Sequence, residues 1–210
     1  MIDGNELYAK RTLRELEAYI NSVISSIHEN EEERKNIRLK KGGYKKYREE
    51  LLPFFNYGKL LFGMDSPLSF QLVRGYPSFD GIISDGPLVK EVVEITFPHF
   101  GKQEYQNAKR LVAGGFYGQQ FDSSSQEAFI NHVKSIATKK AAKDYSNRIL
   151  VITVDSPGEF SLDFDHDLLA LNKLVLTLKG IVYTARKTYL LVLPQSINGI
   201  NYAGRLHVIK

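Results

Sequence analysis

The chain has 210 residues and a formal net charge of +4, from 28 basic and 24 acidic residues. Hydrophobic residues make up 43% of it, which is typical of a globular protein long enough for one α/β domain with a helical extension. The absence of cysteine excludes a disulfide scaffold, a thiolate zinc site and a cysteine nucleophile. No apolar run approaches the about 18 residues that span a bilayer, and no basic-then-apolar leader opens the sequence. We therefore expect a cytoplasmic protein that is not embedded in a membrane.

The N-terminal region is predicted to be one long helix. Asp3 followed by Glu6 has the spacing of a capping box and predicts a helix that continues to about Glu33. Its apolar residues form a narrow stripe that packs either on the body of the protein or on a second copy, which would make a homodimer. The residues of this stripe are Leu13, Leu16, Ile20, Val23 and Ile27.

A basic run at 34–41, followed by two glycines, predicts a hinge after this helix. The hinge divides the chain into an N-terminal helical extension, 1–42, and an α/β domain, 43–210. The positive charges of the run are either solvated or in contact with a nucleic-acid backbone.

The remaining periodicities predict alternating helices and strands. A helix at 44–62 has a kink or restart at Pro53, and a turn at Asp85–Gly86 joins two strands. This order predicts a mixed β-sheet flanked by helices. The other predicted elements are strands at 68–73, 79–84, 89–96, 148–154, 181–183, 189–193 and 206–209, and helices at 104–113, 124–145 and 165–178.

Two acidic residues on neighbouring strands are the strongest candidates for chemistry. If residues 85–89 connect the strands, Asp80 lies opposite Glu94, and directly opposed residues of an antiparallel pair point to the same face. A two-residue turn at Asp85–Gly86 would instead place Glu91 opposite Asp80. Two converging carboxylates need a proton or a cation to neutralise them, and Mg²⁺ suits such a pair. The alternative is a pair of acids on a solvated sheet face.

A second acidic cluster surrounds His166, at 163–167. It either binds a cation or places negative charge at the start of a helix.

The segments containing Phe79-Asp80 and Val93-Glu94-Ile95-Thr96 resemble the active-site hairpin of the PD-(D/E)XK nuclease superfamily, with Glu-x-Thr in place of the usual Glu-x-Lys. The helix at 44–62 and the helix at 125–145 with its following strand occur in the family's order, so the resemblance covers roughly 44–155. It implies a restriction-endonuclease-like mixed sheet flanked by helices. It also implies metal-dependent hydrolysis of phosphodiester bonds, with DNA as the expected nucleic-acid partner.

The resemblance also implies roles for individual residues. Asp80, Glu94 and the Ile95 carbonyl would hold Mg²⁺ or Mn²⁺, with Glu50 assisting from the helix. Thr96 stands where the family has a lysine, and Lys139 or Lys140 would reach back to replace it, with Lys90 a less favoured substitute. Cations beside the helix after the hairpin would hold the nucleic-acid backbone: Lys102, Lys109 and Arg110.

Two other functions remain open on the sequence. The first is a catalytically inactive protein of the same fold that binds nucleic acid or protein. The second is an interaction protein that dimerises through the N-terminal helix.

Overall fold

A computed structural model describes residues 2–75, 78–98, 102–114, 123–155, 164–197 and 200–210, which form a mixed α/β protein. The chain clusters into two units by its internal contacts. The first comprises Met1–Ile95 and His99–Gly118, and the second comprises Thr96–Pro98 and Gln119–Lys210. The residues predicted to be an extension, 1–42, thus belong to the same unit as the hairpin with the candidate acids.

The prediction of a single N-terminal helix that runs to Glu33 is wrong, because this region forms three helices and a short strand. Asp3 does cap a helix, but that helix is a single turn, and the capping box is formed instead by Thr12 and Glu15 at the start of the longest N-terminal helix. Asn30 then ends that helix and caps the next one, because its side chain accepts backbone N–H groups. The elements are α1 (Gly4–Leu7), β1 (Arg11–Thr12), α2 (Leu13–Glu29) and α3 (Glu31–Arg38).

The apolar stripe of α2 packs on the body of its own chain, as one of the two alternatives predicted. Leu13, Leu16, Ile20 and Val23 are all buried in the single chain. These side chains are therefore not available to hold a second copy.

Most of the basic run predicted as a hinge is helical, because α3 continues to Arg38. Several of its charges bind within the chain: Arg34 donates to the His28 carbonyl, and Lys35 pairs with Glu31. The backbone turns only after the helix, where Lys40 and Gly42 have positive φ.

The predicted helix at 44–62 forms, and it contains a π-helical turn. It comprises α4 (Tyr44–Lys46), the π-helical turn Tyr47–Leu51 and α5 (Leu52–Phe62). Pro53 is the second residue of α5, one residue after the π-helical turn, so the helix restarts at the proline, as predicted. Such turns inside α-helices frequently lie at functional sites.

Four antiparallel strands form the sheet of the first unit, in the order β1, β2 (Ser69–Leu72), β3 (Gly81–Asp85), β4 (Leu88–Thr96). One face is apolar and buried, and it includes Phe70, Ile83 and Val93. Phe54 of α5 packs on this face, with its ring centroid 5.5 Å from that of Phe70. The opposite face is partly exposed and carries Gln71, Ile82 and Val92 in register.

A β-bulge sets the register of the β3–β4 hairpin. Ile83 pairs with Glu91, but the next pair is Ser84 with Val89, so Lys90 is an extra residue on β4. The turn is therefore tight, with a positive φ of 54° at Gly86, and yet Glu91 does not lie opposite Asp80. The register that would place Glu91 there is wrong.

The second unit contains a strand with six buried positions, β5 (Ile149–Asp155), as its apolar sequence predicts. It pairs in parallel with β6 (Lys187–Leu193), which pairs antiparallel with β9 (Arg205–Val208). α7 (Ser123–Ala141) packs against α8 (Phe164–Lys179). A separate hairpin of β7 (Gln195–Ile197) and β8 (Ile200–Tyr202) was not predicted. The remaining helix, α6 (Lys102–Val112), belongs to the first unit.

The strand predicted at 181–183 does not form. Ile181 still closes the end of α8 by donating to Leu178, and Val182 is 91% exposed. The Tyr183 carbonyl accepts from the Lys210 ammonium instead of a neighbouring strand. A short apolar run after a helix therefore serves here as a connection.

His207 gives the second unit a pH-dependent stability. Burial lowers its pKa, and the charges of Arg205 and Lys179 lower it further. The unfolded chain binds the proton at about pH 6.5, so this stabilisation is fully present above that pH and is lost as the pH falls toward the folded pKa. We expect His207→Gln to flatten the fall of the urea midpoint between about pH 7 and about pH 5. The same substitution at the exposed His28 should leave the fall unchanged, and an equal effect of both variants would contradict this expectation.

None of the helices in the described ranges combines the length and the apolar composition that crossing a membrane requires.

Candidate functional site

Asp80 lies beside Glu94 on the neighbouring strand. The Asp80 backbone N–H donates to the Val93 carbonyl at 2.9 Å, and the Asp80 carboxylate accepts the Ile95 N–H through Oδ2 at 2.7 Å. The main chain and the side chain of Asp80 therefore bracket Glu94 along β4. Asp80 directly precedes β3, whose pairing ends with Gly81 opposite Val93, so the placement of Asp80 across from Glu94 stays a prediction. A tight turn with a bulge, and not a five-residue connection, sets the register of the hairpin.

Glu94 is a buried carboxylate, with 7% of its surface exposed. By strand alternation it points away from α5, since Val93 and Ile95 occupy the face that α5 covers. A carboxylate at this depth needs compensation by hydrogen bonds, a proton or a cation. Continued by one residue beyond the pair of Gly81 with Val93, the register would place Asp80 and Glu94 on the same face of the sheet.

Lys46 and Glu50 extend this acidic pair from the helix. The Lys46 ammonium contacts both carboxylate oxygens of Glu50, at 2.8 and 3.1 Å. Burial lowers the pKa of Lys46, but the hydrogen bond and charge of Glu50 raise it by more, and Tyr8 and Asp80 add to the upward shift. Lys46 thus remains a cation within electrostatic range of Asp80. Glu50 also carries the outermost carboxylate of the π-helical turn.

Asp80 and Glu94 are the two carboxylates that could together hold a divalent cation here. Mg²⁺ in proteins takes one or two carboxylates and retains water, which matches Asp80 and Glu94 with the Ile95 carbonyl. The Ile95 N–H fixes the orientation of Asp80, as outer hydrogen bonds do for metal-ligating carboxylates. Glu50 is already bound by Lys46 and is therefore less suited to contact a metal directly. Across the part of the chain that the structure describes, no group of three or more histidine and acidic side chains could hold a metal.

The lysines predicted to replace the motif amine belong to the second unit, and their role stays a prediction. Lys139 and Lys140 are on α7, in the second unit, and Lys139 is exposed. Thr96 lies two residues beyond Glu94 on β4, and its buried hydroxyl has no hydrogen-bond partner among the described residues. Lys90 is the bulge residue and its ammonium lies 3.7 Å from Asp85, at the turn end of the hairpin.

The cations predicted to hold a nucleic-acid backbone are described only in part. Lys109 and Arg110 are exposed on α6, and the Lys109 ammonium lies over the ring of Tyr105 at 4.7 Å. The side chain of Lys102 and the acidic cluster around His166 lie outside the residues whose side chains are described.

Lys46 is the residue of this site that the sequence did not indicate. The sequence does contain a pattern that points to Lys46. Lys46 and Glu50 are four residues apart on a predicted helix, and such pairs are commonly in contact. Opposite charges at this spacing are frequent on any helix, so the spacing alone did not distinguish the pair.

No protein-family model, no curated protein and no solved structure matches this chain. The resemblance to the PD-(D/E)XK nucleases therefore rests on the residues of the chain itself.

Proposed function

We propose that this protein is a metal-dependent nuclease that hydrolyses phosphodiester bonds of DNA, with a restriction-endonuclease-like fold of the PD-(D/E)XK kind. The observation that carries the proposal is the bracketing of Glu94 by Asp80 on adjacent antiparallel strands. Two carboxylates so placed form a donor set suited to Mg²⁺ or Mn²⁺. The resemblance of the hairpin sequence to the family supports the reaction class.

Each residue of the site has a defined task in this proposal. Asp80 and Glu94 hold the cation with the Ile95 carbonyl, and the Ile95 N–H keeps the Asp80 carboxylate in place. The bound metal would lower the pKa of water and offset the charge of the phosphate. Thr96 supplies no charge at the position where the family has a lysine.

Lys46 supplies the positive charge that Thr96 lacks. Its ammonium is held by Glu50, and the charge of Asp80 contributes to raising its pKa. A fixed cation in a partly buried site stabilises negative charge that develops on a phosphate more effectively than a solvated one. In this role Glu50 positions Lys46 and does not bind the metal.

We expect Lys46→Gln to lower the rate of DNA cleavage by about tenfold or more, because it removes charge stabilisation in the transition state. Lys46→Arg should retain more activity than Lys46→Gln. Lys45, the exposed neighbour on the same helix, provides the matched control Lys45→Gln. Single-turnover rates at saturating Mg²⁺ separate this effect from weaker metal binding. Equal cleavage rates for the Lys45→Gln and Lys46→Gln variants would contradict a role of Lys46 in the reaction.

The direct test of the function is cleavage of supercoiled plasmid and single-stranded DNA by the purified protein. Cleavage should require Mg²⁺ or Mn²⁺ and stop with EDTA. Loss of cleavage in variants of Asp80 and Glu94 would show that this protein, and not a contaminant, cuts the DNA. Cleavage that persists without Asp80 and Glu94 would end the assignment.

A second function is favoured by Thr96. A protein of the same fold without the motif lysine can retain the binding of nucleic acid or of a protein after losing catalysis. It would bind DNA with an affinity unchanged by divalent metal and would leave the DNA intact. The plasmid experiment separates the two functions, because only the nuclease changes the DNA.

A further inference from the structure

A groove on the first unit is lined by the N-terminal segment and by residues of β2 and β3. Its volume is about 360 Å³, and its lining includes Tyr8, Gln71, Val73, Arg74 and Ile82. Gln71 and Ile82 are on the sheet face that also carries Asp80 and Glu94 by register. The groove and the acids therefore share one face of the sheet.

Arg74 follows Val73, the groove residue that is hydrogen-bonded to Asp80. The Val73 N–H donates to the Asp80 carbonyl at 2.9 Å, which joins the groove lining to the backbone of Asp80. Arg74 is exposed, and it is the one charged residue among the described residues that line the groove. A positive group therefore lines this groove.

The N-terminal segment holds the Arg74 guanidinium in place. Its Nη2 donates to the Gly4 carbonyl and to the Asn5 side chain, and its carbon lies 5.0 Å from the ring centroid of Tyr8. Those bonds use one nitrogen of the guanidinium, which carries further donors in a planar fork. Gln71 in turn anchors Tyr8 by donating to its carbonyl at 3.1 Å.

Tyr8 also links Arg74 to the proposed catalytic cation. The Lys46 ammonium lies 5.7 Å from the same ring centroid. Two cations, Arg74 and Lys46, are thus arranged around one aromatic side chain, with Lys46 toward Asp80 and Glu50. Two positive groups beside one ring favour an anionic ligand over a neutral one.

We propose that this groove is a phosphodiester-binding subsite, in which Arg74 receives the backbone phosphate next to the one at Asp80 and Glu94. The proposal rests on the proposed nuclease function and extends it to strand positioning. A guanidinium whose geometry is already held loses little entropy when it binds a phosphate through two N–H groups. In this proposal the α1 segment and Tyr8 hold the Arg74 side chain in the orientation that binds the phosphate.

The test measures binding and cleavage separately. Binding of a fluorescein-labelled single-stranded DNA of about 20 nucleotides is followed by anisotropy in Ca²⁺, and a denaturing gel verifies that the strand stays intact. We expect Arg74→Ala to weaken binding by about tenfold at about 0.1 M salt. The slope of log K against log salt should fall by about 0.7, as expected for one lost phosphate contact on a single strand.

Two further variants isolate the subsite. Arg74→Lys keeps the charge and loses the fork, so its affinity should lie between those of the wild type and Arg74→Ala. Arg14→Ala removes another exposed arginine of the same unit, which pairs with Asp65, and should leave the salt slope unchanged.

A methylphosphonate scan along the strand gives the position of the contact. One neutral linkage next to the cleaved bond should weaken binding to the wild type by about tenfold and binding to Arg74→Ala by much less. Additive losses at every position, or an unchanged salt slope in Arg74→Ala, would overturn the subsite. Such a result would leave Mg²⁺-dependent cleavage by the wild type intact, whereas a wild type that cuts no DNA would instead overturn the proposed function.

Discussion

Asp80→Asn and Glu94→Gln are each expected to lower Mg²⁺-dependent DNA cleavage by at least about 100-fold, because each removes a charged metal ligand worth several kcal/mol. The asparagine retains an oxygen that can accept the Ile95 N–H, so the hairpin should keep its geometry. The loss of cleavage would then reflect the lost metal ligand and not a loss of folding. Single-turnover cleavage of plasmid DNA measures it, and thermal unfolding verifies that the variants remain folded.

The two substitutions should be strongly non-additive, because both remove ligands of a single ion. The double variant should therefore cleave about as slowly as either single variant. Asp85→Asn is the matched control, since it makes the same chemical change at the exposed turn of the same hairpin. Mn²⁺ binding measured by calorimetry should be lost in both site variants and kept in the control. Mn²⁺ binding that persists in the Asp80→Asn variant would contradict the role of these acids as metal ligands.

Phe54→Ala is expected to destabilise the protein by about 3–5 kcal/mol, the usual cost of removing a large buried aromatic side chain. Phe54 is 1% exposed and contacts Phe70 edge to face, and its ring lies directly below Gly81. A Cβ added at Gly81 would come within 2.8 Å of that ring, so the packing here is tight. Urea unfolding followed by circular dichroism measures the loss.

Leu60→Ala provides the comparison for Phe54→Ala in the same helix. Leu60 is 42% exposed, and its truncation should change stability by only about 0.5 kcal/mol. A comparable loss in both variants would contradict the packing of Phe54 on the sheet as the source of the effect, because alanine itself favours the helix. Because Gly81 adjoins Asp80, the Phe54 variant should also cleave DNA more slowly than its folded fraction accounts for.

The elements with strong apolar patterns were predictable from the sequence. The β5 strand and the α4–α5 segment follow from runs of apolar residues that the structure buries, and Gly86 occupies the predicted turn. The N-terminal helix was predicted at the wrong place, because Asp3 and Glu6 have the same capping spacing as Thr12 and Glu15. The choice between them depends on the pairing of β1 with β2, which is a long-range contact that spacing does not contain.

The candidate acids were predictable, but the means of bringing them together was not. Alternation places Asp80 and Glu94 on one face only if the register is known, and the register depends on a bulge at Lys90. Nothing in the local sequence distinguishes a bulged lysine from a paired one. The association of Lys46 and Arg74 with Tyr8 likewise joins segments far apart in the chain. Pattern reasoning within one segment cannot find such a cluster.

The pairing of β1 with β2 also bears on solubility. An edge strand with unpaired backbone groups is a template for association with other chains, and proteins protect such edges. Here the two residues Arg11 and Thr12 cover part of β2, and Arg11 adds a charged side chain at that border. A shortened protein that begins after Thr12 would expose the hydrogen-bonding edge of Phe70 to other molecules. Aggregation, and not only a weaker hold on DNA, would then be the first consequence of trimming the amino terminus.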